Sequence, residues 1–402
     1  MTQPATHILI SGASIAGNAL AHCLHRYGFT VTVVERWPGL RPGGQAVDLR
    51  GVAKEVLRRI GLDAPVRAAR TQTVGASFVT GGNRRLATIR ADQFDGDGLI
   101  TELEILRGDL AQVFHDAAKD GVEYLFDDRI ETLTQDQTGV AVRFASGAQR
   151  RFDLVVGADG LHSAVRSLIF GPERRYRRYL GHHVAFFTVP NHLGLDRWMH
   201  VYAAPGRTVA IRAIHDNQEA MAFLTLRSPE LDFDHHDLDE QKMLIHEHFT
   251  GTGWQTPWLL DHLDTAPDFF FDAAAQIRLP RWSTGRIALL GDAAYCPSPL
   301  SGQGTSLAVT GAYILASELA TAAGDHTTAF PAYQARMRHY VTTNQAVGKA
   351  FENASTAQGP LGVILQYAGI ALLPYLPFNT FSRMQDATKA LDLPDYAHRV
   401  AA

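Results

Sequence analysis

"ILISGASIAGNALAHCLHRYGFTVTVVER", Ile8 to Arg36, decides the fold. The apolar run from His7 to Ser11 suits a strand buried on both faces. Ala16 to Tyr27 follows with helical periodicity and stops at Gly28, a residue that readily ends a helix. Thr30 to Val34 is β-branched almost throughout and reads as a second strand. Between the first strand and the helix lies Gly12-Ala13-Ser14-Ile15-Ala16-Gly17, a variant of the G-x-G-x-x-G turn with serine in the middle slot. In a βαβ unit such a turn holds a nucleotide. Gly12 permits the tight bend, the middle slot brings backbone near a pyrophosphate, and Gly17 lets the helix pack close to the strand. The helix start adds free N–H groups and the positive end of the dipole. Ser14 weakens the fingerprint without cancelling it, because its small hydroxyl can itself bond a phosphate oxygen. Glu35 ends the second strand, where an acid can accept a ribose hydroxyl; an ordinary surface acid is the alternative. This turn alone does not separate NAD from FAD.

Two later stretches bear on that choice. "DLVVGADGLHSAVR", Asp153 to Arg166, reads as a strand that turns through Asp159-Gly160 into a helix. "GRIALLGDAAYCPSPLSGQGTSLAVTGAYILASELA", Gly285 to Ala320, reads as a strand delivering Gly291-Asp292, a proline-broken loop, then Gly302-Gln303-Gly304 opening a long helix. No second βαβ glycine fingerprint follows.

In order and spacing, the three motifs resemble the class A FAD-dependent monooxygenases, the fold group of p-hydroxybenzoate hydroxylase. The resemblance covers most of residues 1–350. It implies an α/β fold: a discontinuous Rossmann-like FAD domain, an inserted antiparallel β-sheet substrate domain and a C-terminal helical region. It implies FAD as the cofactor, with NAD(P)H visiting transiently. Gly12, Ser14, Ile15, Ala16, Gly17, Glu35 and Arg36 would then serve the ADP half. Arg107, in "EILRGDL", matches an arginine directed at the cofactor. Asp159 and Gly160 would sit by the pyrophosphate. Gly291 and Asp292 would meet the ribityl chain. Pro299, Gly302, Gln303, Gly304 and Thr305 would line the flavin edge, where a helix start favours negative charge.

The FAD domain is expected at 1–75, 100–176 and 276–350. The inserted segments, 76–99 and 177–275, hold alternating, β-rich stretches such as "HHVAFFTVPN", "RWMHVYAAPGRTVAIRAI" and "EAMAFLTLRS". They are expected to form the substrate sheet, with 351–402 helical. "PLGVILQYAGIALLPYLPF", Pro360 to Phe378, is too short and proline-broken to span a membrane and reads as a buried helix, with a lid or a surface that touches an apolar ligand or membrane as the alternative.

The resemblance implies that the flavin carries the chemistry through a C4a-hydroperoxide, with no catalytic side chain singled out. O₂ is the second substrate. The branch most resembled contains the tetracycline-inactivating flavin monooxygenases and the tailoring hydroxylases of aromatic polyketides. A phenolic or enolic polycyclic molecule is therefore the expected substrate. A hydroxylase of small phenols or salicylates is the alternative, and a non-catalytic FAD-containing ligand-binding protein is a third reading. Gln45, Phe186, Phe187, Met199, Tyr202, Arg212 and Phe223 are the candidate wall, with His183 and His200 as further polar candidates; for Arg212 and the two histidines a structural or exposed role is the competing reading. Ordinary sheet core is the competing role for the apolar ones.

The bulk composition narrows the rest. A net charge of −4 gives no general pull toward nucleic acid. Two cysteines, Cys23 and Cys296, make no disulfide framework and suit a reducing cytoplasm. The start of the chain carries no basic stretch of a signal peptide. His235-His236 and His246…His248 read as solvated histidines, and no metal is expected. A monomer or homodimer is expected.

Overall fold

The computed structural model describes residues 6–41, 43–94, 101–214, 217–352, 356–372 and 386–396. The opening βαβ unit forms as its periodicity demands. His7–Ser11 pairs in parallel with Thr30–Glu35 on one side and with Leu154–Gly157 on the other. The six-stranded sheet runs in the order Ser283–Thr284, Ile287–Leu289, Leu154–Gly157, His7–Ser11, Thr30–Glu35, Glu123–Phe126. All three motifs thus leave adjacent strands at the same end of one sheet. In a parallel sheet the ligand crevice lies beyond the carboxyl ends of the strands. Helix Ile15–Arg26 packs against helix Gly304–Thr321, whose small residues let the two approach. A three-stranded antiparallel meander, Ile130 to Phe152, flanks this half.

The second large sheet has seven strands: Phe270–Ile277, Arg177–Pro190, Glu219–Arg227, Arg207–Ile214, Trp198–Ala204, Gly75–Val79 and Arg85–Arg90. It is antiparallel except where Gly75–Val79 runs parallel to Trp198–Ala204. The α/β class with an inserted, mainly antiparallel sheet is what the chain forms.

The register assigns each side chain to a face, because strand residues alternate. On the outer face, Ala185, Phe187, Val209, Ile211, Ala222 and Leu224 pack beneath helices Leu238–Phe249 and Thr256–Leu263. On the inner face, Val184, Phe186, Ile214 and Met221 meet Leu106, at the end of the short strand Glu104–Leu106. That strand pairs with Ala46–Asp48 to form a ribbon between the two sheets.

One expectation changes here. Helix Gly359–Leu372 is not buried: none of its residues is, and Leu361 is 70% exposed. Its polar anchor is Tyr367, whose hydroxyl donates to the Val79 carbonyl and accepts the Ala203 N–H, each at 2.9 Å. The rest of that expected helix, 373–378, lies outside the described residues. Among the described residues, no helix is long and apolar enough to cross a membrane.

His183 takes the structural role of its two readings. It points to the outer face, stacked on Phe271 with ring centroids 5.5 Å apart. Its Nδ1 lies 3.0 Å from Ser228 Oγ, and Nε2 accepts the Leu231 N–H. Burial pushes its pKa down to about 4 from an ordinary 6.5. The unfolded chain therefore binds a proton that the fold refuses. Stability from this residue is present above pH 6.5 and is lost as pH falls toward 4. His183→Gln is expected to lose less stability than the native protein between those two pH values, measured by urea midpoints.

Candidate functional site

The first turn is built by contacts that exclude side chains. Gly12 has φ +104°, and a Cβ there would lie 2.7 Å from the Ala158 carbonyl oxygen. A Cβ on Gly17 would lie 1.8 Å from the Gly12 carbonyl oxygen. Gly291, at φ +63°, sits against Ala16. The first, second and third motifs therefore touch through backbone and methyl groups.

Polar groups lock this junction. Glu35 Oε2 accepts the Ala13 N–H at 2.8 Å, and Oε1 accepts the Trp37 N–H at 3.1 Å. Part of the acid's capacity is thus spent on holding the turn. Ser14 does not cap its own helix; its hydroxyl accepts from Arg107 Nη1 at 3.2 Å. Arg107 Nη2 donates to the Arg41 carbonyl, and its backbone N–H to the Gln45 carbonyl. These partners are neutral. Burial, then the nearby Arg41, lowers the Arg107 pKa to about 10, still charged at neutral pH. A buried cation beside a glycine turn is suited to a pyrophosphate. Ile15 is buried in the core, and Arg36 is exposed at the end of the second strand.

Asp159 turns inward. It accepts from the Ser163 hydroxyl and from the Val165 N–H at 3.0 Å, so its carboxylate holds the start of helix Ala164–Phe170. Gly160 follows at φ +83°. Asp292 Oδ1 lies 3.7 Å from where a Gly304 Cβ would be, beside the start of the Gly304–Thr321 helix. Burial raises the Asp292 pKa.

The loop before that helix is shaped for an occupant. Pro299–Ser301 forms one tight turn, fixed by the Ser298 hydroxyl accepting from Leu300 N–H. Gly302 follows in the left-handed region at φ +62°. Gln303 is fully buried, yet neither polar atom of its side chain has a partner. Thr305 is buried in the first helical turn. An orphaned amide beside two glycines and a helix start fits the polar ring edge and ribityl chain of FAD.

The ribbon supplies a residue that was missed. Asp48 Oδ2 lies 3.5 Å from where a Gly302 Cβ would be, and 2.8 Å from Arg50 Nη2. Burial raises its pKa; Arg50 opposes this and Glu104 adds to it. The signal was available in "GGQAVDLRG", a glycine-flanked stretch with one acid. Gln45, in the same stretch, reaches the site through its carbonyl bond to Arg107.

The wall candidates divide by face. Phe186, Met199, Arg212 and Phe223 lie on the inner face, with Phe186 and Phe223 4.8 Å apart and Met199 opposite Arg212. Phe187 and Tyr202 belong to the outer face, in the core beneath the helices, so they are not wall residues. His200 pairs with outer-face Ile211 and is likewise turned away. Arg212 Nη1 donates to Glu104 Oε2 at 2.5 Å, while its Nε is buried without a partner. Thr71 and Thr73 hydroxyls both donate to Glu104 Oε1. His246 pairs with Asp264 at the surface, in line with a solvated histidine.

With this geometry the comparisons agree. The family model described as "FAD binding domain" matches residues 5–355. A "Flavin-dependent monooxygenase" from an unknown prokaryotic organism is 39% identical, over 97% of this chain and 98% of its own. An uncharacterized protein of Mycobacterium tuberculosis is 46% identical, over 84% of this chain and 91% of its own. The crystal structure of tetracycline destructase Tet(55) superposes with a TM-score of 0.84 at 38% identity, covering 98% of this chain and 100% of its own.

Arg107→Met is expected to weaken FAD binding about 10- to 100-fold, the loss of a charged group's hydrogen bonds at about 1.5–3 kcal/mol. Flavin absorbance retained through gel filtration measures it. Full retention would leave Arg107 a structural role only.

Proposed function

The chain belongs to the FAD-binding-domain family and is a flavin-dependent monooxygenase, and from that premise we propose that it hydroxylates an electron-rich phenolic or enolic polycyclic molecule, with NAD(P)H as the transient reductant. The observation that carries the substrate class is Arg212. Its guanidinium is on the same sheet face as the apolar cluster of Phe186, Met221 and Ile214, and is held there by Glu104. A cation beside such a cluster favours a ligand with broad apolar faces and one delocalised negative edge. Phenolates and enolates have that form, and deprotonation also supplies the electron density that hydroxylation needs. The likeness to a tetracycline destructase supports the polycyclic size class.

FAD, when bound, supplies the redox and oxygen chemistry. The chain's residues do the remainder. Arg107 and the Gly12–Gly17 turn hold negative phosphates. Asp292 offers a carboxylate to sugar-like hydroxyls. The start of Gly304–Thr321 favours negative charge on a ring edge near Gly302 and Gln303. Phe186, Phe223 and Met199 exclude water, which limits unproductive loss of reducing power. Arg212 orients the substrate's anionic edge, while Thr71 and Thr73 fix Glu104 and so fix Arg212.

The test is NADPH and NADH oxidation by the FAD-loaded protein, with tetracycline or with salicylate, followed by product mass. Tetracycline-stimulated oxidation with one added oxygen is the expected result. Stimulation by salicylate alone would overturn the polycyclic class in favour of small phenols. Flavin binding with no stimulation by either compound would count against this substrate class. Arg212→Leu is expected to raise the substrate KM about 10- to 100-fold with flavin content unchanged, by loss of a charged hydrogen bond.

A further inference from the structure

Three side chains far apart in sequence meet beside the edge strand Phe270–Ile277 of the seven-stranded sheet. His162 follows the Asp159-Gly160 turn. His235 lies between Glu219–Arg227 and helix Leu238–Phe249, and Asp272 sits on strand Phe270–Ile277. One ligand-type atom from each lies within 4.8 Å of the others. His162 Nε2 is 3.0 Å from Asp272 Oδ2, and His235 Nδ1 is 4.0 Å from Asp272 Oδ1. Asp272 is buried, at 9% side-chain exposure, while the two rings are open to solvent at 32% and 38%. An ion has both a fixed carboxylate and a way in.

The surroundings resemble the outer shell of a metal centre. His162 Nδ1 is 3.0 Å from Glu173 Oε1. Arg166, fully buried, holds the other oxygen of Glu173 at 2.6 Å. Metal-binding histidines commonly give their second ring nitrogen to a carboxylate, which fixes the ring and aims the first nitrogen. The two rings sit 4.0 Å apart with no direct hydrogen bond between them among the described contacts.

We propose that His162, His235 and Asp272 form a divalent-cation site, with zinc the matching ion and water in the fourth position. Two imidazoles and one carboxylate suit zinc, whereas magnesium and calcium prefer all-oxygen shells. Zinc bonds of about 2.0–2.2 Å bring neighbouring ligand atoms to roughly 3.3 Å, so His235 swings inward by about 1 Å. His162 and Asp272 are already in range. A bound ion replaces the proton that otherwise bridges His162 and Asp272. It ties three pieces of chain together: the turn after Leu154–Gly157, the sheet edge, and the connection that carries His235. This site lies outside the contacts assigned above to FAD or substrate, so it stands or falls separately from the proposed reaction.

The experiment uses tag-free, FAD-loaded protein stripped with EDTA and titrated with zinc chloride by calorimetry, alongside thermal unfolding. One zinc per chain is expected, with a midpoint that rises with free zinc. His235→Ala and Asp272→Asn are expected to weaken zinc binding at least tenfold, with flavin content unchanged. His236→Ala, an exposed neighbour, is expected to bind as the native chain does. No zinc binding by the native chain would overturn the site and leave the cluster a proton-held ion pair. Native affinity in His235→Ala would also overturn it, by placing any bound zinc elsewhere.

Discussion

Backbone touching backbone is the constraint on which this structure depends. Where the Gly12 turn meets Ala158, and where Gly17 meets the Gly12 carbonyl, there is no room for a β-carbon. Those contacts set the distance between the first helix and the first strand. They also align the starts of three motifs at one end of the parallel sheet. Helix Ile15–Arg26, helix Gly304–Thr321 and the Asp159 turn can converge only because the glycines let them. The polar locks, Glu35 on Ala13 and Arg107 on Ser14, act on a junction that sterics have already closed.

The second constraint is parity along the strands. One face of the seven-stranded sheet is filled by helices and the other meets the strand Glu104–Leu106. A one-residue step exchanges the two sets. Phe186 and Phe187 are neighbours with the same side chain, yet one packs near Leu106 and the other beneath the helices. Arg212 stands out because a charged group on the inner face needs a partner, and Glu104 on the ribbon provides it.

This difference explains what was legible in the sequence. The βαβ unit, the Gly291-Asp292 turn and the Gly302–Gly304 helix start are local patterns with fixed steric meaning, so they can be read from consecutive residues. Sheet faces cannot, because alternation gives two sets without saying which is inward; the choice between wall and core at Phe187 and Tyr202, and between contact and structural role at His183 and His200, stayed open for that reason. Asp48 was hidden differently: its acid acquires meaning only beside Gly302, some 250 residues later. The His162, His235 and Asp272 cluster has no local spacing at all and exists only through the fold. Helix Gly359–Leu372 departs from expectation because its hydropathy suggests burial, whereas its placement rests on the Tyr367 hydroxyl.

The strand order also sets a timetable. His7–Ser11 is made first, yet its neighbour Leu154–Gly157 and the strand beyond it, Ile287–Leu289, come from much later in the chain. At about 5–20 residues per second of synthesis, the nucleotide sheet waits roughly 15 to 60 s for its last parallel strand. During that interval an apolar strand edge and the small-residue face of helix Ile15–Arg26 are without their final cover. The crevice formed by the three motifs is therefore complete only when the third motif has emerged.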